Sequence, residues 1–410
     1  LIENKIPKNW RKKYRIGVEE KKYSTKEIAA PSIKAILADK LIFFFPLLGV
    51  SGINIFEAIF FQVINKLKIF RKKTVNNKIN HEKKEDTIDW DLDWDSLIEN
   101  IIPKNFLSIK EKGKKPYRFN KIVYGTAAIS YYDFKKRLKL ALSVERGAKL
   151  IGIQHGGAYG TFAVHSLVSA VEYANSYKFL SWGWEKTSYQ KEKIIPVSFP
   201  YLSKIKYNCT TEDIIFVNGI FGVLPVRINS FKQPNQVIKE RNNNLSFIKN
   251  LDKSLLSNFY YRPSFSQKTG GPPSILDGKL INNIFPSVKL IKGDLHARTM
   301  KCKLLILNQP GTTFNIAMSA NIPTISFWNP EFYEIDECAK PYFEALYDVG
   351  IIFDSPHEAA IKANNVWGNI DDWWQSKNLQ NARREWAWNY ARSNKNWRRE
   401  WFNLIWNDYE

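Results

Sequence analysis

The chain has 410 residues, 44% of them hydrophobic, and a formal net charge of +21. That apolar fraction excludes global disorder, and the length accommodates two domains of ordinary size. The basic residues are spread along the chain with no dense arm, and there is no helix-turn-helix, zinc-finger or RNP-type signature; nucleic acid is therefore disfavoured, and an anionic small substrate or an anionic membrane surface fits equally well.

The chain begins at Leu1 rather than Met, so a fragment or processed chain is expected, and no secretory signal with a cleavage site is legible. Residues 1–115 carry the weakest pattern. Glu27–Asp39 and Ile53–Phe70 read as helices and Arg71–Asp86 as a charged loop. Leu41–Phe56 is an uncharged run of 16 residues broken by Pro46, Gly49 and Gly52. It is short for a membrane span of about 20 residues and reads as a buried or interfacial hairpin. Leu1–Trp10 is echoed once, by Leu97–Phe106, which is too little for a solenoid.

From residue 116 to 205 strands and helices alternate. Lys121–Gly125 reads as a strand, and Asp133–Arg146 as a helix with Asp133 at the N-cap position. Lys149-Leu-Ile-Gly-Ile-Gln-His-Gly-Gly-Ala-Tyr-Gly160 follows. Its apolar start predicts a buried parallel strand, and its end is a glycine-rich turn that lets the backbone approach a ligand. A histidine just beyond such a strand end stands where open α/β sheets bind ligands; a turn whose His155 merely caps a carbonyl is the alternative. Glu172 falls in a helix, and Tyr177–Gly183 and Ile194–Phe199 are further strands. Alternation of this kind implies a parallel sheet covered on both faces.

Ser203–Thr211 is polar and reads as a linker, with a second α/β set over residues 206–370. Its strands are Asp213–Val217, Asn258–Arg262, Leu304–Leu307, Thr324–Phe327 and Ile351–Phe353, with a helix over Val237–Leu251 and a loop at Thr269–Pro273. Between two of these strands lies Asn308-Gln-Pro-Gly-Thr-Thr313, opening a helix from Phe314. Free amides, a positive dipole end and small side chains make Gly311, Thr312 and Thr313 either an anion site or a plain helix cap. Residues 371–410 form a helical tail: eight of the 14 tryptophans lie beyond residue 366, at helical spacings that predict packing back across the domains. Cys209, Cys302 and Cys338 are far apart and odd in number, which suits a reducing cytoplasm.

Several of these pieces together resemble a family of bacterial surface-carbohydrate transferases, and more distantly the capsule and lipopolysaccharide transferases that add β-linked Kdo. The resemblance rests on Tyr131-Tyr-Asp133, Gly147–Gly160, Phe179-Leu-Ser-Trp-Gly-Trp184, Ala320–Asn329 and Lys340–Leu346, in that order, across roughly Ile122–Trp401. It implies an α/β fold of two Rossmann-like domains facing across a cleft (GT-B), with the acceptor on residues 116–205 and the nucleotide sugar on 206–370. The implied activity is transfer of a sugar, with CMP-Kdo or a related acidic sugar as the suggested donor, to a surface glycan or glycolipid precursor. The implied setting is the cytoplasm or the inner face of the membrane. The chain departs from the family at Asn315-Ile316, where a Glu is common, and after Arg262.

Sugar transfer needs a hold on the leaving phosphate and a group that activates the acceptor. Arg262 and the Gly311–Thr313 amides are the phosphate candidates, with Lys292 and Arg298 behind them. Asp133 and His155, at neighbouring strand ends, are the catalytic candidates. Either serves as base, and Asp133 as nucleophile if configuration is retained. Gln154, Gly156, Gly157, Tyr159 and Glu172 are expected around the substrates. No metal-binding carboxylate pair stands out beside these residues, so a metal-independent reaction with no cofactor beyond the nucleotide sugar is expected. A nucleotide-sugar epimerase of the same shape and a non-catalytic carbohydrate-binding homologue are the alternatives.

Overall fold

The computed structural model describes residues 122–125, 134–163, 172–173, 175–188, 193–219, 234–263, 277–291 and 294–407, all within the compact unit Pro46–Glu410. The expectations for residues 1–115, for the Thr269–Pro273 loop, and for Asp133 and Lys292 lie outside the described residues.

The first sheet is built from β1 (Ile122–Gly125), α1 (Phe134–Glu145), β2 (Lys149–Ile153), β3 (Lys178–Ser181) and β4 (Ile194–Pro196). All four strands are parallel and pair in sequence order. Gly125 pairs with Gly152 and Ile153 with Leu180, so the carboxyl ends of β1, β2 and β3 come out on one edge. Ile151, Ile153, Phe179 and Leu180 are fully buried. Such runs tolerate no polar face because helices cover a parallel sheet on both sides.

After α2 (Pro200–Lys204), residues 205–213 lead into the second sheet. Its elements are β5 (Ile214–Val217), α3 (Pro234–Lys249), α4 (Lys253–Leu256), β6 (Phe259–Arg262), α5 (Gly278–Ile284), β7 (Lys289–Leu290), α6 (Leu295–Thr299) and β8 (Leu304–Leu307), then α7 (Thr312–Ala320), β9 (Thr324–Phe327), α8 (Lys340–Asp348), β10 (Ile352–Phe353) and α9 (Pro356–Val366). The order is β10-β9-β8-β5-β6-β7, all parallel. Side chains alternate between two cores, as the two-residue period of a strand requires. Ile214, Phe216, Leu304, Ile306 and Ile325 share a cluster with Phe247 of α3 and Ala359 of α9. Ile215, Leu305 and Leu307 share the other with Phe314 of α7 and Phe343 of α8. The chain winds outward from β5 to β7, then returns to β8 and winds the other way. The strand order therefore reverses between β5 and β8, and a doubly wound sheet opens its ligand crevice at that point. The strand β7 and helices α4, α5, α6, α8 and α9 were not legible as elements, several being too short to show a period.

The tail forms α10 (Ile370–Trp374), α11 (Lys377–Tyr390) and α12 (Trp397–Asn407). On α11, Arg383 Nη1 donates to Met318 O at 2.6 Å, near the C-terminal end of α7, where a cation meets the negative end of the helix dipole. Asn321 ends α7 in the left-handed conformation, and its Oδ1 accepts from Trp374 Nε1 and Gln380 Nε2. Trp386 is 1% exposed, with Phe343 and Phe314 ring centroids 4.7 and 5.4 Å away. Its indole N–H donates to Asn315 Oδ1 at 3.1 Å, which ties α11 to the first turn of α7. Beyond α11 the chain reaches the first sheet. Arg392 N donates to Trp182 O, Phe199 N to Arg392 O, and Trp401 Nε1 to Ser198 O. Trp386→Ala should destabilise the protein by about 3–5 kcal/mol, the range for emptying a large aromatic site. Urea unfolding checks this, and a loss below 1 kcal/mol would show that the tail is not integral to the second core.

Candidate active site

The turn after β2 is held from inside by Gln154. Its side chain is completely buried, with Nε2 donating to Gly156 O at 2.8 Å. Its Oε1 accepts from Trp182 N and Trp184 Nε1, each at 2.8 Å. One carboxamide thus ties the β2 turn to the segment after β3. Ala158 takes φ +74°, a left-handed conformation that L-residues adopt only under constraint. Gly160 has φ +73° and lies so close to Trp184 that a Cβ would come within 2.5 Å of the indole, so glycine is required there.

His155 is half-buried, and its Nδ1 lies 2.5 Å from the Tyr159 hydroxyl. That hydroxyl in turn lies 3.0 and 3.1 Å from the two carboxylate oxygens of Glu172. The three residues form a line His155–Tyr159–Glu172. Tyr159 is 3% and Glu172 5% exposed, so the line runs inward from the turn. Burial pushes the Glu172 carboxyl up to about 8, against a partial lowering by the Tyr159 hydrogen bond. Nδ1 is thus the ring nitrogen that faces Tyr159.

The turn meets the other half of the molecule at the start of α7. Gly157 N donates to Thr312 Oγ1 at 2.8 Å. A Cβ on Gly157 would lie 2.4 Å from Gly311 C and 2.5 Å from Thr312 N, so backbone packs directly on backbone. The cap residue Gly311 supplies no side chain to the first amides of α7. The structure thereby brings together His155, Gly156, Gly157, Gly311 and Thr312. A second contact runs alongside: Phe162 bridges Ile335, Ala163 N donates to Glu334 O, and Asp336 N to Thr161 O. The Asp336 carboxylate accepts from Ser188 N and Cys338 N. A cavity of about 370 Å³ lies here, lined by Ala163, Ser188, Tyr333, Glu334, Glu337 and Lys340 among others; no sequence-derived site candidate lines it.

At the switch point of the second sheet the residues after β5 and β8 interlock. Asn308 Nδ2 donates to Asn218 Oδ1 and Asn244 Oδ1 at 2.6 and 3.0 Å, and Gly219 N donates to Asn308 Oδ1 at 2.7 Å. Asn218 Nδ2 donates to Asp277 Oδ2 at 2.8 Å, and Tyr261 donates to the same carboxylate. Burial raises Asp277 to about 6, against hydrogen bonding from Tyr261 and the charge of Arg241. Sequence reasoning missed this network; asparagines directly after two predicted strands were the available signal. Arg262 ends β6, but its Nη1 donates to Ile291 O at 3.3 Å, beyond β7 and on the side away from β8. Its described bond does not bring it to the Gly311–Thr313 turn. Arg298 lies over the Tyr260 ring, 4.7 Å from its centroid. No cluster of three or more His, Cys, Asp or Glu able to hold a metal occurs among the described residues.

Residues 3–405 match the sequence profile of the LIC12162 family transferases. The chain belongs to that family. Among curated proteins none matches it. Among solved structures, likenesses include MurG of Acinetobacter baumannii, at 12% identity and TM-score 0.39, covering 70% of this chain and 73% of that one. UDP-N-acetylglucosamine 2-epimerase from Rickettsia bellii gives 11% identity and TM-score 0.39, covering 75% and 77%. Arabidopsis thaliana UGT89C1, solved with quercetin, gives 14% and 0.38, covering 76% of each chain. None of these likenesses is strong enough to bear on chemistry. For this LIC12162 family member the close approach at Gly157 has a direct consequence. Gly157→Ala should cost about 1–3 kcal/mol, as overpacking does, because neither backbone at the seam can step aside like a side chain. Thermal and urea unfolding measure it; a variant as stable as the parent would show that the turn and α7 are not held in this contact.

Proposed function

We propose that this transferase moves a sugar from a nucleotide-activated donor to a bacterial surface glycan or its precursor, with His155 as the base. The observation that supports this most is the His155–Tyr159–Glu172 line, opening at a strand end beside the N-terminus of α7. With Glu172 ionised, Tyr159 donates to the carboxylate and His155 Nδ1–H donates to the Tyr159 oxygen, which leaves a lone pair on Nε2. When Nε2 takes the acceptor hydroxyl's proton, the Nδ1 proton passes to Tyr159 and the phenolic proton to Glu172. The imidazole stays neutral and the proton ends on a buried carboxyl. The acceptor oxygen bonds to the anomeric carbon as the bond to the phosphate oxygen breaks, and the nucleotide leaves with the electron pair. If configuration is instead retained, the Asp133 carboxylate displaces the nucleotide first, and the same relay then activates the acceptor hydroxyl as it displaces that carboxylate.

The donor phosphate is assigned to the crevice between β5 and β8, where the turn before α7 offers free amides and a positive dipole end. Arg262, two strands away from β8, would reach it only by leaving Ile291. The donor sugar suggested by the resemblance is Kdo, carried on CMP, or a related acidic sugar, and the acceptor a glycan or glycolipid. The relay also suits a nucleotide-sugar epimerase, since it can carry a proton to and from carbon as readily as from oxygen.

Two outcomes test this reading. Incubated with its donor, the protein should release free nucleotide only when acceptor is added. Isomerised sugar without acceptor would identify an epimerase, and nucleotide binding without turnover a non-catalytic homologue. A thermal-shift panel of CMP, UDP, GDP and dTDP finds the donor first, since a ligand at 100 times its Kd stabilises by about 2.7 kcal/mol. The second outcome concerns pH. The relay accepts a proton only when Glu172 is ionised, so kcat/KM should rise with pH through about 8. Glu172→Gln keeps an acceptor for the Tyr159 hydroxyl but takes no proton. It should lose about 10²–10⁴-fold in kcat and the alkaline rise with it. A Glu172→Gln enzyme with the parent's pH profile would remove Glu172 from the reaction.

A further inference from the structure

We infer that the exposed face of α11, with the turn after it, is a docking surface for an anionic phospholipid bilayer. Trp388 is 56% exposed, the most exposed large apolar side chain among the described residues. A single exposed apolar residue is ordinary, and it is the surroundings that distinguish this one. Lys377, Asn381, Arg384 and Trp388 follow one another at spacings of four, three and four, so they lie along one face of the helix. All four are exposed. One turn on, the Arg392 guanidinium stacks on the Trp388 ring at 4.1 Å from its centroid. Lys395, Arg398 and Arg399 follow in the chain; Glu385 is the carboxylate within 377–399, and Glu400 and Glu185 stand near enough to Arg392 to act on its charge. An indole among cations at the surface of an amphipathic helix is the chemistry of an interfacial segment. The ring enters the headgroup boundary while Lys and Arg meet anionic lipid. No helix among the described residues is long and apolar enough to cross a membrane, so contact through them would be of this surface kind.

The surface is rigidly placed. Arg392 Nε donates to Trp388 O at 3.0 Å and Nη2 to Gly183 O at 3.1 Å. Gly183, at φ +124°, lies so close that a Cβ would be 2.3 Å from Trp388 O. Its neighbours Trp182 and Trp184 are the residues that hold Gln154. A bilayer on this face would therefore lie where the second core meets the half of the molecule that carries His155. If the sugar-transfer reading holds, the acceptor is a lipid-linked glycan presented from that same bilayer. The lipid binding itself does not depend on that reading.

Sedimentation of the full chain with vesicles tests the inference. The protein should partition onto mixed phosphatidylglycerol–phosphatidylcholine vesicles, and not onto phosphatidylcholine alone. Trp388→Ala should weaken that partitioning severalfold. Lys377→Glu with Arg384→Glu should weaken it by about tenfold or more, at about 1 kcal/mol per cation near an anionic surface. Lys253→Glu with Lys279→Glu changes the net charge equally on exposed positions of the second sheet's helices and should stay within about twofold of the parent. The surface assignment is overturned if the control pair loses as much as the α11 pair, if the α11 variants bind like the parent, or if no anionic vesicle is bound. Binding to a soluble polyanion such as heparin that needs the α11 cations, with no vesicle binding, would also overturn it and assign the face to a different partner.

Discussion

The buried carboxamide of Gln154 is where the geometry of the candidate site converges. Breaking any of its bonds would leave a buried donor or acceptor without a partner, at about 1–3 kcal/mol each. It cannot be exchanged for Glu without taking an ionisable group out of water, nor for Leu without orphaning Trp182 N, Trp184 Nε1 and Gly156 O. Everything on either side hangs from it. The turn it fixes presents His155 outward and sets Gly157 on Gly311. The segment it fixes on the β3 side presents Gly183 to the tail. A residue with no exposed surface thus positions the turn after β2, the seam between the halves and the strap of the C-terminal helices.

The inward line from His155 to Glu172 has an energetic price as well as a chemical use. A carboxyl with a folded-state value near 8 and an unfolded value of 4.5 favours folding in its protonated form. Its stabilising effect is complete below the unfolded value and is lost as pH rises through the folded one. The ionised state of Glu172, the one the proposed relay needs, is therefore the state of this group that the fold tolerates least. Functional sites commonly carry such a conflict.

Much of the architecture was legible because it rests on local patterns. The apolar run into Gln154-His155-Gly-Gly predicts a strand and its turn, and Leu304–Leu307 followed by Pro310-Gly311-Thr-Thr predicts a strand and a helix start; both stand in the structure. That these two turns touch is a tertiary fact between residues 155 positions apart. Nothing local encodes it except that both are glycine-rich. Glu172 was legible as a candidate, but its partnership with Tyr159, 13 residues earlier, is a contact that no spacing rule gives. Gln154 was read as a substrate group because polar residues at strand ends usually face ligand; here the amide turns inward. Arg262 was read toward the phosphate crevice because β7, only two residues long, gave no sign that a strand edge with an acceptor carbonyl would stand beside it. The Asn218–Asn244–Asn308 network is assembled from three separate elements, and no spacing rule joins them.

The contacts at Trp182, Ser198 and Phe199 have a bearing on how the chain is made. Their partners, Arg392 and Trp401, lie about 200 residues downstream, with the whole second sheet between. Trp182 and Phe199 are buried, packed on each other, and Phe199 also meets the Trp401 ring. During synthesis the first sheet therefore emerges before Arg392 and Trp401, and these contacts wait until that stretch has left the ribosome. Contacts of such long range close late and leave aggregation-prone surface open meanwhile. A chain stopped short of residue 392 would keep both Rossmann-like sheets in sequence and still lack the piece that seals the first. Loss of the stretch from Arg392 to Trp401 would thus act on a sheet about 200 residues away in sequence.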